Sequence, residues 1–151
     1  MKSKKELVLI PLTDIIKLMP LIEKYTREAH ATGTEETTYE HLISKALVGN
    51  VQIWALMDEE DKCRGIGTTE FSHYDNYKSL HLITLGTDNN SSWEDWHTGL
   101  EEFAKTYGCK DIQIWGRKGW SRALDKVDGI NKEKYRETYR VFSMELKYEP
   151  I

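Results

Sequence analysis

The most restrictive feature of this sequence is a change of hydrophobic period near its middle. Three consecutive segments rich in β-branched, aromatic and aliphatic residues, at 51–57, 63–71 and 79–85, predict strands joined by polar turns. Apolar residues then recur at helical spacing and end at a glycine, Gly108. They are Trp93, Trp96, Leu100, Phe103 and Tyr107. Alternation returns at 111–115 and predicts a further strand. Several mixed α/β folds accommodate this order, and periodicity alone does not choose among them.

The flanking segments add elements on both sides of this centre. Leu7–Ile10 predicts a first strand. A capped helix follows, and it is kinked or starts late because Pro20 lies inside its pattern. A second helix is predicted at 39–48, a short helix at 121–127 and two strand-like pieces at 136–147. The predicted order is therefore β-α-α-β-β-β-α-β-α-β, and no linker, repeat or change of composition divides it.

Composition and length favour one folded domain. The 151 residues are 39% hydrophobic and 30% charged, a balance that excludes disorder and low-complexity sequence. The longest apolar run, Leu7–Leu12, falls far short of the roughly 20 residues of a membrane span, and no signal peptide follows the basic N-terminus. Cys63 and Cys109 lie far apart and outside metal-ligand spacing. We therefore expect no metal site and a reduced, cytoplasmic setting.

Charge is distributed unevenly along the chain. The net charge of −4 argues against bulk binding of nucleic acid. The segment 117–140, however, holds eight lysines and arginines against four acidic residues. A basic lobe of this kind suits a phosphate-bearing small ligand, an acidic partner or a nucleic-acid backbone, and a solvated surface is the alternative.

Two short motifs accompany the element order. Arg64-Gly-Ile-Gly67 lies where a strand returns after an acidic turn, and Gly116-Arg-Lys-Gly-Trp-Ser-Arg-Ala-Leu124 precedes the last predicted strand, 139–146. The order and the first motif resemble the GNAT superfamily of acyl-CoA-dependent N-acyltransferases. The second motif, with that strand, is similar to a segment of short GNAT-like proteins encoded by tailed phages. The resemblance implies an α/β (α+β) fold: one GNAT-like domain over residues 1–151, with a mixed central sheet of about six to seven strands flanked by about four helices.

The resemblance also implies acetyl-CoA as co-substrate. In GNAT enzymes two central strands splay apart, and the pantetheine pairs with the exposed backbone of one of them, here Leu82 to Leu85. The diphosphate lies on a glycine-rich loop before the next helix, here Gly86 to Ser92, where N–H groups and the helix dipole favour anions. The backbone N–H of Ile83 or Thr84 would stabilise the oxyanion. The implied cofactor-binding residues are Leu82, Ile83, Thr84, Leu85, Asn89, Asn90, Ser91, Arg117, Lys118 and Arg122.

The sequence departs from the family pattern at two places. The family loop carries several glycines, whereas here only Gly86 is glycine and Asp88 puts a negative charge where the phosphates should lie. A carboxylate beside a diphosphate costs on the order of 1–4 kcal/mol. Many GNAT enzymes use a tyrosine on the following short helix to protonate the leaving thiolate, and 120–127 contains none. The polar residues 89–92 can instead cap the next helix.

Amine acylation needs a base that takes a proton from the attacking ammonium. The candidates near the central strand are Glu70, His73 and His81, on two strands that a turn at Asp75-Asn76 joins. The alternative roles are an exposed strand-end carboxylate for Glu70 and a hydrogen-bonded structural or surface position for each histidine.

Alternation divides the central strand into two faces. His81 and Ile83 share one face, and Leu80, Leu82 and Thr84 share the other.

Three functions remain open at this point. The first is an acetyl-CoA-dependent N-acyltransferase that acts by direct transfer on an amine of a small molecule or a protein. The second is a catalytically degenerate GNAT-like phage protein that binds a protein partner in the virion, in assembly or in the host; the single loop glycine, Asp88 and the absent tyrosine motivate it. The third is an acidic nucleic-acid mimic or a nucleic-acid binder, against which the modest net charge and mixed signs argue. We expect a cytoplasmic protein away from membranes, in the host cytoplasm or the virion if it is encoded by a phage.

Overall fold

The computed structural model describes residues 5–31, 38–88 and 93–114. The strands are β1 (Lys5–Leu9), β2 (Gln52–Asp58), β3 (Cys63–His73), β4 (Lys78–Thr87) and β5 (Asp111–Ile114). The helices are a 3-10 helix (Leu12–Asp14), α1 (Met19–Ala31), α2 (Tyr39–Leu47) and α3 (Glu94–Thr106). These bounds lie close to the predicted ones. The helix expected at 121–127, the strands expected at 136–147 and the basic segment 117–140 lie outside the described residues.

The described strands form one mixed sheet in the order β1-β2-β3-β4-β5. From β1 to β4 each strand is antiparallel to its neighbour. β5 runs parallel to β4, because α3 carries the chain back to the end of the sheet at which β4 began. The predicted mixed α+β architecture is therefore confirmed, with five strands and three α-helices in the described part of the chain.

Each face of the sheet packs against its own helices. α1 and α2 cover one face, which we call the α1/α2 face; its buried residues include Ile22, Leu42, Ile53 and Ile66. α3 covers the other, the α3 face, with Trp54, Leu56, Leu80, Trp96 and Leu100. Because both faces are covered, β4 carries apolar side chains toward two layers, with Leu80 and Leu82 under α3 and Ile83 under α1 and α2.

Gly65 and Gly67 allow α3 to pack directly on β3. A Cβ at Gly65 would lie 2.9 Å from the Trp96 ring, and one at Gly67 would lie 3.0 Å from it. Trp96 itself is fully buried. The two glycines therefore mark a close approach of helix and strand, as expected for glycines inside a strand.

The helix ends follow ordinary capping rules. α1 begins at Met19, so Pro20 lies in the first turn, where its missing N–H is not needed. The late start predicted from Pro20 is therefore confirmed. The Thr38 hydroxyl caps α2 by accepting a hydrogen bond from the His41 N–H at 3.2 Å. In the three described stretches, no helix has the length and apolar character needed to cross a membrane.

Candidate active site

β4 carries a bulge at the position around which the site is built. Thr68 of β3 pairs with Thr84 of β4, but the next β3 residue, Thr69, pairs with Leu82. Ile83 is therefore an extra residue on β4. A strand bends and twists more strongly at such a bulge, and bulges are common beside active sites.

The bulge changes which side chains share a face. Leu80 and Leu82 belong to the core under α3, whereas Ile83 packs against the core under α1 and α2. Thr84 also points to the α1/α2 face, since its Oγ1 lies 2.6 Å from Thr68 Oγ1. The expectation that Thr84 shares a face with the two leucines is therefore wrong. The extra residue moves every later side chain of β4 to the opposite face from the one that simple alternation gives it.

The bulge also coincides with the end of the described pairing between β4 and β5. That pairing joins Ser79–Leu82 to Asp111–Ile114. Residues 83–87 of β4 continue past Ile114, the last residue of β5 that the structure describes. Of the β4 residues assigned to the cofactor, Leu82 lies at the end of the described pairing, and Ile83, Thr84 and Leu85 lie beyond it.

Three polar side chains meet on the α1/α2 face next to this bulge. Glu70 on β3 and His81 on β4 are cross-strand partners, and His81 Nδ1 lies 3.7 Å from Glu70 Oε1. The other carboxylate oxygen, Oε2, accepts a hydrogen bond from Lys45 Nζ of α2 at 2.8 Å. The Lys45 ammonium therefore balances the charge of the Glu70 carboxylate, and all three side chains are partly buried.

Burial lowers the pKa of His81 below its ordinary value near 6.5. Glu70 opposes this effect, because a neighbouring carboxylate favours the imidazolium, and Lys45 adds to the lowering. Desolvation is the largest contribution, so the imidazole is neutral at neutral pH and can accept a proton.

His73, the third candidate base, does not join this cluster. It is exposed at the last position of β3, opposite Lys78. Since it is three positions from Glu70 along a strand, it also points to the other face of the sheet. The structure therefore brings Glu70 and His81 together and leaves His73 apart.

Sequence reasoning missed one residue beside the cluster, Gln113, and one member of it, Lys45. Gln113 of β5 is the register partner of His81, and its Oε1 accepts a hydrogen bond from the Tyr74 hydroxyl at 2.9 Å. Lys45 was also missed, because its partner Glu70 lies 25 positions away and no spacing rule within one helix indicates it.

A second charged cluster lies at the C-terminal end of β4. Arg64 Nε donates a hydrogen bond to Asp58 Oδ2 at 2.8 Å, and Arg64 Nη1 lies 3.5 Å from Asp88 Oδ2. The Asp88 N–H donates to the Arg64 carbonyl oxygen at 2.9 Å. The hydrogen bond from the Lys62 N–H lowers the pKa of Asp58, and Arg64 adds to that effect. Asp88 is thus held beside Arg64 by its backbone, which bonds the Arg64 carbonyl oxygen, and by its side chain, which faces the guanidinium.

Gly86 belongs to β4 and not to a loop, since the strand continues to Thr87. A Cβ at Gly86 would lie 2.2 Å from the Tyr25 carbonyl oxygen, so α1 crosses β4 in direct contact with its backbone. The expectation that Gly86 opens a phosphate loop is therefore corrected: this glycine serves the packing of α1 on β4. The other assigned cofactor residues, Asn89, Asn90, Ser91, Arg117, Lys118 and Arg122, lie outside the described residues.

An open cavity of about 650 Å³ lies between α1 and the β2–β3 turn. Its lining includes Leu18, Leu21, Lys24, Met57 and Arg64. Neither Glu70 nor His81 lines it, so it is separate from the cluster beside the bulge. Within the described ranges, no group of three or more His, Cys, Asp or Glu side chains could hold a metal ion.

Comparison with solved structures identifies the fold. An aminoglycoside acetyltransferase from an uncultured soil metagenomic sample, solved with trehalose and with sisomicin, matches with a TM-score of 0.64 and 18% identity, over 95% of this chain and 97% of that one. A GNAT family acetyltransferase of Staphylococcus aureus gives a TM-score of 0.59 at 17% identity, over 95% and 99% of the two chains. A Trypanosoma brucei acetyltransferase gives 0.57 at 12% identity, over 95% and 100%.

No protein-family model matches the sequence, and no curated protein matches it. Structural likeness at such low identity establishes the fold and leaves the activity to be argued from the site. The chain has the fold of the GNAT acetyltransferases.

Proposed function

We propose that this chain is an N-acyltransferase that transfers the acetyl group of acetyl-CoA to an amine of a small molecule or a protein. The observation that carries the proposal is the cluster of Lys45, Glu70 and His81 beside the bulge of β4. The fold adds support, because its structural relatives include acetyltransferases.

His81 is the general base in this proposal. Its imidazole is neutral because burial lowers its pKa. Glu70 Oε1 lies on the Nδ1 side of the ring, which favours the tautomer with the proton on Nδ1 and makes Nε2 the basic nitrogen. The proton passes from the attacking ammonium to Nε2, directly or through one water. Glu70 and Lys45 are positioning residues, since they act on substrate only through His81.

The backbone of β4 supplies the complementary electrostatics. Acyl transfer places negative charge on the acyl oxygen, and the N–H of Ile83 or Thr84 is assigned to stabilise it. The backbone from Leu82 to Leu85 holds the pantetheine. The bulge supports these assignments, because it frees backbone groups from the regular ladder between β3 and β4.

The remaining assignments concern the phosphates of acetyl-CoA. Guanidinium and ammonium groups bind phosphates by charge-assisted hydrogen bonds, and hydroxyl and amide groups add donors. The residues assigned to them are Asn89, Asn90, Ser91, Arg117, Lys118 and Arg122. Asp88 would repel this ligand if its charge were free, and the Arg64 guanidinium reduces that repulsion.

The first experiment is calorimetric titration of the purified protein with acetyl-CoA. We expect binding tighter than about 100 μM, or roughly −5.5 kcal/mol. A panel of amines, with an aminoglycoside among the small molecules and a lysine peptide as the protein-like acceptor, then tests turnover by release of free thiol. Absence of both heat and thermal stabilisation at millimolar acetyl-CoA would overturn the proposal.

A pair of variants tests the base. His81→Gln should lower kcat by about 100-fold and leave the Kd for acetyl-CoA within about twofold of the wild-type value. His73→Gln is the matched control, because it removes an exposed histidine outside the cluster and should leave both constants unchanged. A His81→Gln variant with wild-type kcat would remove His81 from the mechanism.

The alternative function is that of a degenerate GNAT-like phage protein that binds a protein partner. The position of Gly86 favours it, because the single glycine of the expected phosphate loop lies in β4 and packs against α1. This alternative predicts no affinity for acetyl-CoA and a stable complex with another protein. Catalytic acetylation of any amine by the wild type, with release of free coenzyme A, would exclude this alternative.

A further inference from the structure

The register shift between β3 and β4 lies between two neighbouring threonines that are both hydrogen-bonded through their hydroxyls. Thr68 and Thr69 are buried, with exposed fractions of 1% and 0%. Since neighbouring residues of a strand point to opposite faces, one hydroxyl lies on the α1/α2 face and the other on the α3 face. The pairing changes from Thr84 to Leu82 between these two residues.

On the α1/α2 face the Thr68 and Thr84 hydroxyls form a direct hydrogen bond of 2.6 Å. On the α3 face the Thr69 hydroxyl donates to Gln52 Oε1 at 2.9 Å and accepts from Trp54 Nε1, also at 2.9 Å. β3 is therefore fixed on both of its faces at the point where β4 carries its extra residue.

The hydroxyl pair depends on the bulge being where it is. If the register of Thr69 and Leu82 continued unbroken, Thr68 would face Ile83, and its buried hydroxyl would lose the Thr84 partner. Thr84 would then face Gly67, beneath the Trp96 ring, among apolar side chains. An unpaired buried hydroxyl is strongly unfavourable, and the unbroken register would leave two of them, those of Thr68 and Thr84, without each other as partner.

A second contact excludes the same alternative. Ile66 on the α1/α2 face is opposite Gly86, whose position touches the Tyr25 carbonyl oxygen and has no room for a Cβ. In the unbroken register Leu85 would occupy that position. The glycine therefore makes the bulged register sterically possible, and the threonine pair fixes the extra residue at Ile83.

We propose that Thr68 and Thr84 are positioning residues that hold the bulge at Ile83 and thereby direct the backbone N–H groups of Ile83 and Thr84. The inference rests on the proposed function for its catalytic consequence, since the assigned oxyanion donor is the N–H of Ile83 or Thr84. The bulge itself can be tested without any activity.

The test compares Thr68→Val, Thr68→Ser and Thr26→Val by amide hydrogen exchange and by the amide NMR shifts of 82–85. Valine keeps the shape of threonine and removes the hydroxyl, while serine retains the hydroxyl. Thr26 is a matched control on α1, because it is equally buried and its hydroxyl has no hydrogen-bond partner among the described residues. We expect Thr68→Val to speed exchange at Ile83 and Thr84 by about tenfold and to shift their resonances. The other two variants should resemble the wild type.

Unchanged exchange at 82–85 in Thr68→Val would overturn the proposal, and so would equal acceleration throughout the sheet or in Thr26→Val. If the wild type turns over an amine, Thr68→Val should also lower kcat about tenfold and leave the Kd for coenzyme A within about threefold. A wild-type kcat in a variant with a displaced bulge would overturn the positioning role. If the wild type does not bind acetyl-CoA, the proposed function fails, and the exchange result still decides whether the hydroxyl pair holds the bulge.

Discussion

Near its middle β4 carries His81 in a cluster where one carboxylate, Glu70, meets one ammonium, Lys45. At its C-terminal end a single guanidinium, Arg64, is shared by Asp58 and Asp88. The first cluster pairs one carboxylate with one ammonium beside a neutral imidazole, whereas in the second two carboxylates contact one guanidinium. The two clusters on one strand therefore use the same kind of ion pair but differ in the number of carboxylates for each cation.

This difference separates two requirements of an acyltransferase. A neutral, partly buried imidazole with an oriented carboxylate is suited to accept a proton. A strand end with two carboxylates and one guanidinium is poorly suited to lie beside a diphosphate, which carries negative charge itself. Under the proposed function, the described residues therefore provide for proton transfer, and binding of the cofactor phosphates decides between the enzyme and its degenerate alternative.

The largest expected effect tests whether the two clusters on β4 are structurally independent. Gly86→Ala places a Cβ against the Tyr25 carbonyl oxygen, so α1 must move off the end of β4. We expect a loss of about 3 kcal/mol in the free energy of unfolding, measured by urea titration. The Lys45–Glu70 contact, which involves α2, should persist, and the His81 side-chain resonances should stay close to those of the wild type.

Gly49→Ala is the control for Gly86→Ala. Gly49 has a φ of +83° and nothing within 4 Å of the position a Cβ would take, so the substitution adds backbone strain without a clash. Its expected cost is about 1 kcal/mol. An equal loss of stability in the two variants would show that the contact between α1 and β4 is not the reason for Gly86.

A smaller effect tests the charge at the C-terminal end. Asp88→Asn removes one of the two carboxylates beside Arg64, and we expect about fivefold tighter binding of coenzyme A at low ionic strength, because a repulsion is lost. Pantetheine, which lacks the diphosphate, should bind the variant and the wild type equally. Calorimetry with both ligands measures the difference.

The control for Asp88→Asn is Asp75→Asn, which removes the same charge from the exposed turn at the other end of β4. It should leave both affinities unchanged. Tighter binding of pantetheine and coenzyme A alike to Asp88→Asn would mean that Asp88 acts on the strand backbone and not on the phosphates.

The sequence predicts the parts of this fold that depend on period and on turn chemistry. The helical stripe that includes Trp96 and Leu100 was identified from local pattern, and glycines inside a predicted strand, here Gly65 and Gly67, indicate a bulge or a close backbone approach. The pairing of Glu70 with His81 was also accessible, because the two are equally far from the Asp75-Asn76 turn that the sequence indicates.

The bulge and the lysine could not be predicted in the same way. A bulge adds one residue without changing composition, and its signals here are nonlocal: the hydroxyl of Thr84 needs Thr68, and Gly86 needs the backbone of α1. Lys45 lies at the end of an ordinary amphipathic helix, and only the packing of α2 on the sheet brings it to Glu70. Alternation consequently assigned Thr84 to the wrong face.

The smallest expected effect tests the charge balance near the middle of β4. Lys45→Met leaves the Glu70 carboxylate facing His81 alone and removes a positive charge that lowers the pKa of His81, so that pKa should rise. The neutral base then exists only at higher pH, and the acid limb of kcat/KM should move to higher pH. The rate loss should be about threefold at most on that limb and should vanish at higher pH, where His81 is neutral in both proteins.

The lowered pKa of His81 also makes the stability of the protein depend on pH. Burial lowers the pKa of folded His81, so below about pH 6.5 the unfolded chain binds a proton that the folded chain does not, and wild-type stability should fall as the pH drops through that range. Lys45→Met should weaken this fall, because the folded pKa lies closer to the unfolded one. Lys105→Met, which removes an exposed lysine from the last turn of α3, is the control and should leave both profiles unchanged. If the pH profiles of Lys45→Met coincide with those of the wild type, Glu70 and His81 hold their arrangement without the ammonium. The contrast between the two clusters on β4 would then depend on Asp88 alone.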